Sequence, residues 1–367
     1  MNVKLAAVSA ASLVAACSIG TAIWIHRTAV WPNSKLPAGA IFLPSGMRIS
    51  PVGRQIPLAG DMPLRMTLSD DGKKLMVVTG GYHNHGLTTI DLASQNVDGM
   101  VTMTKCTSGL ASIDAGHVAI SAADEGLEVV DLAAGAATKF GKTEKKAWYG
   151  SVVKLPDGSL AASDLNHDQI LKIDPTSGDV TASQAVGYRP CALAVSPKGD
   201  SLAVAEWGAG TVTFLNATDL KPLATVKAGS HPNSLAYAKD GTLYVANGGS
   251  DTVTVVRDGK VSSTVFVSPN PRNLLGSTPD ALALSPDDKT LYVADADANC
   301  VACVDVANPS RPRVTGFIPT GWYPSALCCS ADGKLYVGVG KGLTSRENKD
   351  VIGTRKLRSY DQKFTYE

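Results

Sequence analysis

Charge is scarce in this chain. Only 18% of its 367 residues are charged against 44% hydrophobic, and 34 Lys and Arg nearly cancel 33 Asp and Glu. A net charge of +1 brings no general pull toward nucleic acid or anionic lipid, and there is no basic stripe, so a nucleic-acid partner is not expected. Chemistry-bearing loops are missing too. No Gly-rich phosphate loop, nucleophile elbow or H-E-x-x-H occurs. Gly338, Gly340 and Gly342 follow a strand, but no helix pattern or second strand comes after them, which argues against a dinucleotide site. Nothing in the sequence calls for a cofactor. The composition also excludes a coiled coil and a collagen-like chain. High Gly (35) and Pro (20) point instead to many tight turns in a packed protein.

No Asp or Glu occurs before residue 28. Lys4 precedes an apolar run of 21 residues, Leu5 to Ile25, which His26 and Arg27 close. A helix crossing a bilayer core needs about 20 residues, so residues 1–27 read best as one uncleaved membrane anchor. Two other readings stay open. Val14-Ala15-Ala16-Cys17 is similar to a lipobox, which makes Cys17 a candidate for lipidation, and a cleaved signal peptide has the same general character. All three place the remainder outside the cytoplasm, in the periplasm or cell envelope, with the membrane as a partner through this segment. Residues 28–45, broken by Pro32, Pro37 and Pro44, read as a linker.

The body is a repeat. A short turn recurs as Ser69-Asp70-Asp71-Gly72, Asp114-Ala115-Gly116, Pro156-Asp157-Gly158, Ser196-Pro197-Lys198-Gly199, Lys239-Asp240-Gly241, Ser285-Pro286-Asp287-Asp288 and Ser330-Ala331-Asp332-Gly333. The seven copies lie 41 to 47 residues apart, a period that belongs to propeller blades. Short strands flank each turn, such as Leu202-Ala203-Val204-Ala205 and Leu243-Tyr244-Val245-Ala246. The last copy, from Pro324, has two strands of its own, and Met47–Ala59 has two strands without an inner pair. The expected fold is therefore all-β: a seven-bladed β-propeller over 46–342, its seventh blade completed by the N-terminal strands, with a polar tail at 343–367.

The repeats Pro190–Leu202, Pro232–Asn247 and Pro279–Asp295 resemble those of the YVTN-type seven-bladed propellers of bacteria and archaea. Leu43-Pro44-Ser45-Gly46 and Gly321-Trp322-Tyr323-Pro324 are similar to the propeller half of bacterial two-part proteins, in which an alkaline-phosphatase-superfamily phosphoesterase follows. No metal-binding phosphoesterase motif is present here, so that activity does not carry over. The resemblance is specific for fold and says little of function; the expected role is a non-catalytic binding or scaffolding module that holds a partner protein or envelope ligand. The alternative is catalytic: the substrate-positioning part of a split or truncated phosphoesterase, with a phosphoesterase as partner, or a hydrolase of the lactonase kind, which shares this fold.

In a blade, the hairpin between strands two and three shares a face with the entry loop of strand one. Entry loops should bring Trp148, Tyr149, Arg189, His231, Trp322 and Tyr323 to that face, together with Met62 and Thr278. Hairpins add Tyr82, His83, His85, His167, Trp207 and Asn247. An aromatic, His- and Arg-bearing mouth is a ligand or partner surface. His83, His85 and His167 could take a divalent ion with Asp164, but a solvated hairpin is the simpler reading. The strand-end acids Asp124, Asp164, Glu206 and Asp295 could ring a cation, although turn-capping is the commoner role of such residues. Cys300 and Cys303 point to opposite faces of a strand, and Val304 stands where a haem-binding motif needs His. Reduced, core-packed thiols are the expected state of the cysteines.

Overall fold

The computed structural model describes residues 41–43, 48–81, 84–141, 143–270, 274–342, 345–347 and 364–366. These form strands and turns with no helix. Six antiparallel four-stranded sheets follow one another along the chain. Blade 1 comprises Met62–Leu68, Lys74–Gly80, His85–Asp91 and Asn96–Met103. Blade 2 comprises Leu110–Ser112, His117–Ser121, Leu127–Asp131 and Ala136–Phe140. Blade 3 comprises Tyr149–Lys154, Leu160–Asp164, Gln169–Ile173 and Val180–Ala185. Blade 4 comprises Pro190–Val195, Ser201–Glu206, Thr211–Asn216 and Pro222–Lys227. Blade 5 comprises Pro232–Tyr237, Leu243–Asn247, Thr252–Arg257 and Lys260–Phe266. Blade 6 comprises Pro279–Leu284, Thr290–Asp295, Cys300–Asp305 and Arg313–Pro319. A two-stranded hairpin, Pro324–Cys329 with Leu335–Val339, ends the series.

All seven recurrent turns join the first strand of a blade, or of the hairpin, to the second. Six of the seven end in the left-handed region: Gly72, Gly158, Gly199, Gly241 and Gly333 have φ between 67° and 89°, and Asp288 adopts 55°, whereas Gly116 does not. The strands read as continuous apolar runs because both faces are covered. Leu202 and Val204 pack toward blade 3, whereas Ala203 and Ala205 pack toward blade 5. Burying a side chain such as Leu202 contributes about 1.5–3 kcal/mol. The outer strands differ: Pro222–Lys227 is mostly exposed.

First strands touch first strands around the ring, so they line its centre. Each pair of neighbouring blades shares one buried cluster, and the closing hairpin shares one with blade 6 and another with blade 1. The hairpin also grips blade 1 directly. Ser325 Oγ donates to Pro63 O at 2.6 Å, and a Cβ on Gly338 would stand 2.7 Å from Pro63 Cβ.

The propeller expectation holds, but the blade count does not: the structure has six blades rather than seven. The seventh repeat supplies only the hairpin, and N-terminal strands do not complete it. Residues 51–61 are not strand, and Arg48–Ile49 pairs with Ile41–Phe42 instead. Pro51 and Pro57 lack the N–H that a ladder needs. Ile56 and Leu58 nonetheless pack against the blade 1–hairpin cluster, and Val52 N donates to Pro319 O at 3.3 Å. Among the described residues, the N-terminal segment thus covers the hairpin with side chains rather than ladder hydrogen bonds. Ile41–Phe42 shows that strand structure starts inside the expected linker. The expected membrane segment and Cys17 lie outside the described residues.

Candidate functional site

Entry loops and second hairpins do share a face, and the backbone shows how. Trp207 N donates to Arg189 O at 2.9 Å, Gly248 N to His231 O at 3.0 Å, Ala296 N to Thr278 O at 3.0 Å and Gly340 N to Tyr323 O at 2.7 Å. Arg189, His231, Thr278 and Tyr323 each precede the Pro that opens a first strand, and all four have positive φ, from 55° to 66°. The preceding blade fixes three of them. Asp168 Oδ1 accepts from Arg189 N at 2.8 Å, Asp251 Oδ1 from Thr278 N at 3.1 Å and Asn299 Oδ1 from Tyr323 N at 2.9 Å. Side chains are thereby set on the mouth by backbone strain that neighbouring blades hold in place.

The strand-end acids are loop caps rather than a cation ring. Asp164 accepts from Trp148 N at 3.0 Å, and Glu206 accepts from Gly187 N at 2.7 Å. Asn247 holds Gly229 N at 3.0 Å and spends its amide on Thr252 and Thr254. Asp124 is paired with Lys105 at 2.6 Å. Asp295 differs: it is fully buried and both its oxygens lack a partner. Burial, reinforced by the charge of Asp251, pushes its carboxyl up to about 9.

His167 Nδ1 lies 2.6 Å from the buried Asp164 carboxylate, and this hydrogen bond raises the imidazole above its ordinary value. Glu144 stands 4.0 Å from the same nitrogen, so Glu144, Asp164 and His167 are the described residues whose atoms cluster closely enough to hold an ion. His85 is not part of it. Its ring nitrogens lie 3.0 Å from Thr104 O and 2.9 Å from Gly81 O, bracing its own hairpin. His83 and Tyr82 lie outside the described residues.

The expected mouth residues separate into groups. Trp148 and Trp207 are exposed, and Trp207 stacks on His231 with centroids 4.1 Å apart. Trp322 and Tyr323 lie under the Lys341 ammonium, at 5.4 and 4.3 Å from the ring centroids. Arg189 covers Tyr188 at 5.6 Å. Tyr149 is a correction: it is 2% exposed and belongs to the blade 2–blade 3 core, because the side chain at the start of its strand turns between blades. The six cysteines among the described residues are unpaired.

Sequence reasoning missed a pair on the innermost strands. Asn233 and Asp280 each follow the opening Pro of their strand. Asn233 Nδ2 donates to Asp280 Oδ1 at 3.0 Å, which leaves Asn233 Oδ1 buried without a partner. Burial, with the charge of Asp297, pushes Asp280 up to about 6. Tyr323, next to both carboxylates, is pushed up to about 12, mainly by burial. A carboxamide or carboxylate at the residue after Pro was the available signal, since the other repeats with that Pro carry Leu64, Cys191 and Ser325 there.

An all-β propeller with a polar centre on one mouth is thus the class. The model of the SMP-30/gluconolactonase/LRE-like region matches residues 150–350, more than half of the chain, and the chain belongs to that family. No curated protein sequence matches it. Among solved structures, hydrazine synthase of Kuenenia stuttgartiensis is similar at 20% identity and TM-score 0.65, covering 78% of this chain and 94% of the other. A streptogramin B lyase is similar at 14% identity and TM-score 0.63, covering 78% and 93%. U3-55K is similar at 10% identity and TM-score 0.67, covering 85% and 96%. These three likenesses speak for the fold alone.

Proposed function

We propose that the chain is a hydrolase of small cyclic esters, acting at the Asn233–Asp280 centre. The observation that carries this is the orphaned Asn233 Oδ1 beside a carboxyl that burial holds near neutrality. Such a pair lacks a positive or proton-donating group, and family membership favours a lactone as substrate. Both atoms are hard oxygen donors, so the residues fit a divalent cation such as Ca²⁺ or Mg²⁺, with Asn233 Oδ1 and Asp280 as its holders. When bound, that ion would polarise the ester carbonyl. Tyr323 keeps its proton through neutral pH and is a donor for the carbonyl or the departing oxygen. In the overall reaction water adds to the carbonyl carbon, the ring C–O bond breaks, and the alcohol oxygen gains a proton.

The test is hydrolysis of a panel of γ- and δ-lactones with Ca²⁺, Mg²⁺ or Mn²⁺ added, and again after chelation. Asp280→Asn should lower turnover at least about 100-fold. Its fold should survive, because blade 5 already carries Asn at this place. No turnover of any lactone with any cation would overturn the proposal and leave a non-catalytic binding module. Export is part of the same reading, supported by the apolar run Leu5–Ile25. Recovery of the native protein in the cytoplasmic fraction would refute that part.

A further inference from the structure

Blades 3 and 4 expose aromatic surface that the ester-hydrolysis centre does not use. Of the exposed large hydrophobic side chains among the described residues, four are aromatic, and three of them stand on these two blades. They are Trp148 at 42% exposure, Tyr188 at 55% and Trp207 at 43%. Leaving such rings in water sacrifices burial that folding would otherwise gain.

The loops that carry these rings are tied down, and two of the rings are packed. Trp148 O accepts from Leu165 N at 2.9 Å and Tyr188 O from Gly208 N at 3.0 Å, which ties each loop to the facing hairpin. Trp207 lies nearly parallel to His231, at 17°, so one indole face is covered and the other is presented. Tyr188 rests against Gly208, where a Cβ would stand 2.2 Å from Tyr188 Cδ1, and the Arg189 guanidinium sits over its ring. Planar polar groups lie among the rings: Arg189 Nη1 is 3.5 Å from Asn166 Oδ1, and His167 is oriented by Asp164.

We infer that blades 3 and 4 form a carbohydrate-binding platform on the mouth face, in which Trp148, Tyr188 and Trp207 stack against sugar rings and Asn166, Arg189 and His167 pair with hydroxyls. A pyranose offers an apolar C–H face to an aromatic ring and a rim of hydroxyls to such planar donors and acceptors. Nucleobases also stack on aromatic and Arg side chains, but a nucleic acid needs a basic groove. Here Lys145, Lys146 and Arg189 are balanced by Glu144 and Asp168, with Asp164 and Glu206 buried behind them, so the loops form no basic groove, and a neutral sugar polymer fits better than a polyanion. The platform does not depend on turnover at Asp280.

Calorimetric titration of the full chain with maltohexaose, cellohexaose and N-acetylchitohexaose tests this, with oligo(dT) as the polyanion. At least one neutral hexasaccharide should bind. Its affinity should fall tenfold or more in Trp148→Ala and Trp207→Ala, and stay unchanged in Phe317→Ala, an exposed aromatic on the outer strand of blade 6. Thermal melts confirm that each variant is folded, and Tyr188→Ala replaces either Trp variant that is not. The inference is overturned if none of the three sugars binds, if the Trp variants bind as well as the parent, or if oligo(dT) binds more tightly than every sugar.

Discussion

Replacing Asp295 by Asn should stabilise the protein, and increasingly so as the pH rises. In blade 5 the corresponding Asn247 is satisfied by the hydroxyls of Thr252 and Thr254. Blade 6 carries Cys300 and Ala302 in those places, and the amides of its entry loop at Gly276, Ser277 and Thr278 are all taken by Asp251. Asp295 is left with no donor and stays protonated. An acid whose folded value is raised binds its proton in the folded state and releases it on unfolding, so stability falls with pH between the two values. With an ordinary value of 3.8 and a folded value of about 9, the penalty at pH 7 is of order 4 kcal/mol. An Asn leaves a buried amide unpaired, which costs about 1–3 kcal/mol, so the net gain at pH 7 is roughly 1–3 kcal/mol. Urea unfolding of both proteins at about pH 5, 7 and 8.5 measures this, and the stability difference should grow by about 1.4 kcal/mol per pH unit. Parallel pH profiles would refute the reasoning, since Asp295 would then have found a partner or solvent.

Two further outcomes follow from the same contacts. Gly338→Ala puts a methyl group 2.7 Å from Pro63 Cβ, where the hairpin closes the ring, and should destabilise by about 1–3 kcal/mol in thermal or denaturant unfolding. Asp164→Asn removes the carboxylate that raises His167, so the imidazole should titrate at lower pH, which NMR of the His167 ring reads directly; an unchanged midpoint would show that Asp164 does not hold the proton there.

The repeat was legible because each blade states itself locally. A closing Gly or Asp, left-handed in six of the seven copies, and apolar runs on either side recur whatever the other blades do, and the structure places every one of those turns between first and second strands. The same reading placed Trp148, Arg189, Trp207, His231 and Tyr323 on one face, because hairpin and entry loop meet within one blade. It failed where the outcome depended on another part of the chain. Tyr149 looked like a mouth residue but is buried by blade 2. Counting seven turns suggested seven blades, yet Pro51 and Pro57 keep the N-terminal segment from pairing with the hairpin, and six are complete.

By itself the sequence determined the all-β repeat, the turn chemistry, the mouth-facing loops and the absence of familiar catalytic motifs, since these depend on residues within one period of each other. Only the tertiary structure decided which polar groups are satisfied. Asn233 meets Asp280 across 47 positions, and Asp295 is stranded because Asp251 of the neighbouring blade captures the amides of the blade 6 entry loop. A hydrogen-bond partner is a matter of distance in space, and in a ring of blades the nearest donor can belong to the neighbouring repeat rather than to the residue's own.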